Sequence, residues 1–363
     1  MDTIRGEIAD LDLKYHMCRA ETLSIMTLQD KEPRLELSIK NLEALNRLNN
    51  ASIPTAMSQN ILILGAGELG LSVLEGLSRH PKRQHQRITV LTRQATLDSA
   101  APEKRKLVQH IRALNAGTEA GDIAAASVDD LAAIFKKYDV VVSCTGMALP
   151  SDVQFKILDA VVAAGVKRFF PWQFGMDYDA IGKGTSRDLF DKQIDVRNRL
   201  RAQKDVDWTI VSTGLFMSFL FRADFGVVDL SQKTVRALGS WETEITLTTP
   251  QDIGRVTAEL VLDPRGVGSR PVYTAGDTIT YGRLAEMLEA HFGVAFKREL
   301  WDLDVLTKQS EDEPDNKMIK YRYSFAQGRG VAWDKEGTVN VERGIEVVDV
   351  KKYLEMMDFK VGE

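Results

Sequence analysis

The chain has 363 residues, 44% hydrophobic and 27% charged, with a formal net charge of −5. This fits one large or two ordinary globular domains and lacks the basic stripe that nucleic-acid binding needs. Two distant cysteines, Cys18 and Cys144, exclude a disulfide framework or zinc spacing and suit a reducing, cytoplasmic setting, and no apolar run is long enough to span a bilayer.

Residues 1–56 carry nine acidic and seven basic residues and no glycine after Gly6. Leu35, Ile39, Leu42, Leu45 and Leu48 recur at helical spacing, and the acidic residues argue against a transit peptide. Residues 1–57 therefore read as a helical arm or leader without a catalytic role, with a linker at 50–55. The five histidines (His16, His80, His85, His110, His291) show no metal-ligand spacing. His80 and His85 flank Pro81-Lys82-Arg83 and read as exposed loop residues.

The most informative stretch is NILILGAGELGLSVLEGL, residues 60–77. An apolar strand at 61–64 is followed by Gly65, Gly67 and Gly70 in a G-x-G-x-x-G pattern and then an amphipathic helix. That order is the dinucleotide-binding βα turn. Gly65 permits the tight turn, Gly67 lets backbone approach a pyrophosphate, and Gly70 lets helix and strand pack closely. Glu68 and Leu69 open the helix whose N-terminus faces the phosphate charge.

The second strand, 88–91, ends in Thr92-Arg93. In such a unit this end lies beside the adenosine ribose, where an acid would take the 2′-OH. Arg93 instead offers a guanidinium suited to a 2′-phosphate, so the expected cofactor is NADP(H) rather than NAD(H). Lys104, Arg105 and Lys106 read as a solvated helix face. Asp122 ends the next strand region, as an adenine contact or simple turn chemistry. Ser127 with Asp130 predicts a capped helix. A buried strand at 140–143 delivers Cys144, Thr145 and Gly146 to the cofactor edge, where small residues leave room. Cys144 reads as packing rather than nucleophile.

Ser151 is placed to cap a helix that Gly165 ends. The strand 166–170 then presents Pro171-Trp172-Gln173-Phe174-Gly175, with Phe174 expected at the nicotinamide and Trp172, Gln173 and Met176 at the substrate. A loop over 176–185 precedes a helix starting near Ser186. A strand at 208–211 brings Thr213 and Phe216 to the same edge. Further on, Thr249-Pro250 starts a helix capped by Asp252, residues 281–292 form another, and residues 310–316 read as a solvated acidic loop. Tyr321, Tyr323 and Trp333 are placed to close the pocket, and a last helix runs near 347–357. The fold class is α/β: a Rossmann-type doubly wound parallel sheet over 58–215, with a smaller α+β substrate domain over 216–363, interleaved with the first.

GAGELG, the strand ending in TR, VVSCTG, VKRFFPWQFG, FDKQIDVR and WTIVSTGLF occur in the order of a known family. The chain resembles the NmrA-like, isoflavone reductase-like branch of atypical short-chain dehydrogenases. TTPQDIGRVTAELV and GRGVAWDKEGTVNVERGI resemble its fungal CipA-like oxidoreductases. The resemblance implies NADPH as hydride donor and a small aromatic or conjugated substrate. Members without turnover and a non-redox isomerase or cyclase are the alternatives.

The chain departs from the pattern at two places. It has no Tyr-x-x-x-Lys pair, since Tyr178 and Lys183 are five apart. The plant reductases' RFFPSEFG is here RFFPWQFG, and their catalytic lysine falls on Gln193, next to Lys192. Leu189, Gln193, Val196 and Leu200 form one helical row, which points Gln193 inward and leaves Lys192 at the edge. An amide donates a hydrogen bond but hands over no proton at neutral pH. Lys192 and Gln193 are the catalytic candidates, and Gln173 either holds its loop or touches substrate.

Overall fold

The computed structural model describes residues 58–146, 149–150, 152–360 and 362. The helical arm and linker read over 1–57 and the Ser151 cap lie outside those residues.

Strands β1 (Asn60–Leu64), β2 (Arg87–Thr92), β4 (Val140–Ser143), β5 (Arg168–Phe170) and β6 (Asp207–Ser212) are short runs rich in β-branched or aromatic residues, and β3 (Gly117–Ala120) is a short polar edge strand. They are joined by β11 (Arg270–Tyr273) in one seven-stranded sheet, ordered β11-β6-β5-β4-β1-β2-β3 and parallel throughout. β1, β4 and the middle of β2 are buried on both faces, as continuous apolar strands covered by helices require. Helices α1 (Glu68–Arg79), α2 (Pro102–Ala113), α3 (Val128–Phe135), α4 (Val153–Ala163) and α5 (Asp191–Ala202) connect them. Ser127 and Asp130 form the expected reciprocal cap on α3, and Gly165 takes positive φ just past α4. The strand order reverses between β1 and β4, so the crevice opens where Gly65 and Cys144 leave the sheet.

The second half contributes two smaller sheets. β12 (Asp277–Thr280), β10 (Glu244–Thr248) and β7 (Leu215–Phe216) form one; β13 (Lys297–Trp301), β9 (Thr234–Leu238) and β8 (Val228–Asp229) form the other. Around them lie α6 (Pro250–Leu262), α7 (Tyr281–Phe292), α8 (Leu303–Asp312), α9 (Lys317–Ala326) and α10 (Val350–Met356). An aromatic-rich core, including Phe190, Phe219, Phe225, Tyr281 and Phe325, fills this half. The halves are interleaved: β11 completes the large sheet, and α6 packs on α1. The two helices cross at Gly76 and Gly254, where a Cβ on either would lie 2.0–2.3 Å from the partner's backbone carbonyl oxygen.

Four expectations change. The helix expected from Ser186 begins at Asp191, because Arg187 and Asp188 both take positive φ and cannot continue a right-handed turn. Thr249, not Asp252, caps α6; the Asp252 carboxylate accepts from Val348 N at 2.8 Å and pairs with Arg255. Residues 310–312 end α8 instead of lying in a loop, with Ser310 buried. His80 is not a free loop residue: its Nε2 lies 2.8 Å from Glu259 of α6.

Candidate functional site

The glycine turn is built to receive an anion. Gly65 has φ +97°, and a Cβ on Gly70 would stand 2.2 Å from Gly65 O. Both positions are therefore closed to other residues. A Cβ on Gly67, by contrast, meets no protein atom within 4 Å. Gly67 occupies the N-cap of α1 without any side-chain cap, so the first-turn N–H groups have no side-chain acceptor. Open space above free donors fits a dinucleotide pyrophosphate. Glu68 is exposed at the mouth, while Leu69 is buried beneath.

A cavity of about 370 Å³ opens directly from this turn. Gly65, Gly67, Glu68, Leu69, Cys144, Thr145, Gly146, Trp172, Phe174, Met176 and Phe216 all line it, so eleven positions marked from the sequence for cofactor or substrate meet here. Burial pushes the Cys144 thiol up, which keeps it protonated and inert. Gly146 carries no side chain because Trp172 covers it: a Cβ there would lie 2.1 Å from the indole.

Other marked residues lie elsewhere. Thr92 is half-buried and Arg93 exposed at the end of β2, outside this cavity but on the same crevice edge. Asp122 Oδ1 accepts from Ala124 N at 2.9 Å and Ala125 N at 3.2 Å, so the carboxylate serves its own turn. Thr213 is fully buried behind the wall, accepting Thr248 Oγ1 at its carbonyl; Gly214 lines the cavity in its place. Trp333 packs on Tyr273 and Tyr323 under Arg187, so of the three expected closing aromatics only Tyr321 lines the cavity.

On the far side of Trp172 lies a second, charge-lined chamber of about 820 Å³. Lys192 and Gln193 line this one and not the first. Lys192 pairs with Asp152 at 2.9 Å with about half its side chain exposed. Gln193 is buried and accepts Gln173 Nε2 at its Oε1, 2.9 Å away. Gln173 also donates to Gln193 O, and its Oε1 accepts Arg197 Nε at 2.7 Å. Arg197 is fully buried, reaching Asp177 at 3.1 Å, Asp179 at 2.9 Å and Met176 O at 3.3 Å. Gln173 is thus a residue bonded at both ends of its amide, 1% exposed and not a cavity wall. Of the two expected roles of Gln173, holding its loop is the one these bonds fit: both Nε2 donors are used within the hub.

Sequence reading passed over two cavity groups. Arg222 sits at the rim, bound side-on to Asp224 (2.9 and 2.5 Å). Tyr178 was weighed only as half of a Tyr-Lys pair, yet it forms part of the wall. The signal for it was Asp177, whose side chain accepts from Asp179 N and Ala180 N and starts a one-turn helix right behind Gly175.

Residues 57–359 match the NmrA-like family. The chain belongs to that family. It is 53% identical over 300 residues to an NmrA-like family domain-containing oxidoreductase of Gibberella moniliformis, covering 82% of this chain and 98% of that one. It is 27% identical to the phenylcoumaran benzylic ether reductase Pyrc5 of Pyrus communis, covering 81% and 95%. Its fold is similar to the structure of AtPrR2 with NADP+ and (+)-pinoresinol, with a TM-score of 0.65 at 20% identity over 82% and 98% of the two chains. The doubly wound parallel sheet is the fold shared with that structure. Among the described residues, no helix is long and apolar enough to cross a membrane.

Proposed function

We propose that this chain is an NADPH-dependent oxidoreductase acting by hydride transfer on a small aromatic or conjugated substrate. One observation carries the reading: the glycine turn, with its uncapped helix N-terminus, opens without a break into a cavity walled by Trp172, Phe174, Phe216, Phe219 and Tyr321. A pyrophosphate held at Gly65–Gly70 leaves the rest of a dinucleotide to run along Cys144, Thr145 and Gly146 toward those rings. The bound dinucleotide supplies the hydride. The chain's own residues anchor, orient and exclude water. The reductase names of the relatives support the same chemistry.

Arg93, exposed at the end of β2, supports preference for the 2′-phosphate. The work divides near residue 215: residues 58–215 hold the cofactor, and residues 216–363 complete the substrate wall. Lys192 faces away from the cavity, and Gln193 acts through Gln173 to fix the loop that carries Trp172 and Phe174. A cytoplasmic setting accords with cysteine use.

A dinucleotide-binding regulator without turnover is favoured by one feature, Gln193 at the family's lysine position. Spectrophotometric NADPH oxidation with aromatic ketones, enones and benzylic ethers separates the readings. Stoichiometric loss of NADPH with reduced product is expected. Tight NADPH binding without oxidation by any of them overturns the reductase in favour of the regulator.

A further inference from the structure

The reductive reading leaves open what binds the substrate's reacting oxygen, because neither Lys192 nor Gln193 reaches the cavity. Two other groups do. Tyr178 and Tyr321 both line it, from the two halves of the chain. Tyr178 is 6% exposed. Two other tyrosines engage their hydroxyls: buried Tyr138 donates to Glu119 at 3.0 Å and half-buried Tyr273 to Asp177 at 2.8 Å. The hydroxyls of Tyr178 and Tyr321 have no hydrogen-bond partner among the described residues, and unlike that of Tyr281 they are not sealed in the core. The cavity is open to both, and Tyr321 also borders the outer chamber.

Both rings are held in place. Phe190 packs against each, its centroid 4.9 Å from Tyr178 and 5.4 Å from Tyr321. Phe219 stands 5.9 Å from Tyr321, and the Arg197 guanidinium 4.9 Å from the Tyr178 ring. The Tyr178 hydroxyl lies over Gly175, 2.7 Å from where a Cβ would sit. Gly175 is thereby kept small on the loop that carries Trp172 and Phe174. A rigid, unpartnered donor pair in an apolar cavity carries a cost unless a ligand acceptor meets it.

We propose that Tyr178 and Tyr321 are the oxygen-binding pair of this cavity, both donating to the carbonyl oxygen of an aromatic ketone, enone or quinone, and that Tyr178 supplies that oxygen's proton. The proposal rests on the reductive reading above. As the substrate carbon gains the hydride, the C=O π pair moves onto oxygen. That oxygen takes the Tyr178 proton as the phenolic O–H bond breaks, and solvent at the open mouth returns a proton to the tyrosinate. Burial pushes the Tyr178 phenol up and the Tyr321 phenol up to about 12. Both therefore stand protonated at neutral pH, and a phenol remains a stronger acid than the alcohol being formed.

The test uses the full chain, Tyr178→Phe and Tyr321→Phe, since Phe keeps each ring in its packing. NADPH affinity, read by fluorescence, should be unchanged in both and reports an intact fold. With the protein loaded with NADP+, 4-nitrophenolate serves as a stand-in for the developing oxyanion. Each variant should bind it about tenfold more weakly, the worth of one hydrogen bond to a charged acceptor. With any ketone the wild type reduces, Tyr178→Phe should lose about a hundredfold in kcat and Tyr321→Phe about tenfold. Wild-type turnover with unchanged Tyr178→Phe kinetics overturns the proposal and leaves the reductase standing. Tyrosine-dependent binding of 4-nitrophenolate without NADPH oxidation by any ketone leaves the donor pair standing and removes the reductase. Failure of the wild type to bind 4-nitrophenolate, or equal binding by all three proteins, overturns the donor pair.

Discussion

The turn at Gly65–Gly70 and the hub of Gln173, Gln193 and Arg197 sit near the same edge of the same sheet, and they are built in opposite ways. At the turn, the helix N-terminus has no capping side chain and Gly67 faces open space. In the hub, both ends of the Gln173 amide are bonded, and Arg197 is spread over two carboxylates, an amide and a carbonyl. Polar groups cost free energy when buried without partners. Donors that the chain leaves open therefore mark where a ligand sits, and donors it saturates mark scaffold. By this criterion Gln173 moves from the chemistry to its support, and Tyr178 and Tyr321 move toward it.

The comparison breaks most visibly at Arg197. Arg197→Met strips a buried cation from Gln173, Asp177 and Asp179 and should cost about 3–5 kcal/mol of stability, read by urea unfolding. Gly67→Val is the counterpart. No protein atom lies where its Cβ would go, so stability should hold within about 0.5 kcal/mol. Dinucleotide affinity should fall about a hundredfold, as the side chain takes the phosphate's space; calorimetric titration with NADPH reads it. If Gly67→Val binds normally, the open donors are not the phosphate site. Arg93→Ala comes next. It should lower NADPH affinity about tenfold and leave NADH affinity nearly unchanged, at wild-type thermal stability.

The hub also sets an acid response. Hydrogen bonding from Arg201, with Arg197 close by, holds the Asp179 carboxyl below its ordinary value. A carboxylate depressed in the fold contributes stability that is complete above its unfolded pKa, about 4, and lost as pH falls through the lower folded value. The difference in urea midpoint between wild type and Arg201→Gln should therefore narrow as pH drops below about 4. A constant difference down to pH 2 would sink the assignment.

Much of this was legible in the chain. Strands β1, β4 and β6 declare themselves as apolar runs ending in glycine or small residues, and eleven residues marked for cofactor or substrate do converge on the cavity. What stayed hidden was set by distant partners. Gln173 could not be told from a substrate contact because Arg197, which bonds its Oε1, lies a helix away. Ser186-Arg187-Asp188 imitates a helix start, but tertiary packing holds two of the three at positive φ. Tyr178 was sought in a fixed spacing with Lys183, whereas its relevance comes from Phe190 and Tyr321.

The smallest expected effect tests the criterion most directly. Lys192 lies beside Gln193 in sequence but joins an exposed pair with Asp152 in the outer chamber. Exposed pairs contribute about 0–1 kcal/mol, so Lys192→Ala should change stability by about 0.5 kcal/mol or less and kcat by about twofold or less. Gln193→Leu should cost more, about 1–2 kcal/mol, since Gln173 Nε2 then loses one of its two acceptors in a buried setting. The order of the two is what matters. A hundredfold loss of kcat in Lys192→Ala at unchanged stability would mean that the lysine leaves Asp152 and swings past Trp172 during turnover. Proton delivery would then belong to Lys192, and the free hydroxyl of Tyr178 would be left with binding alone.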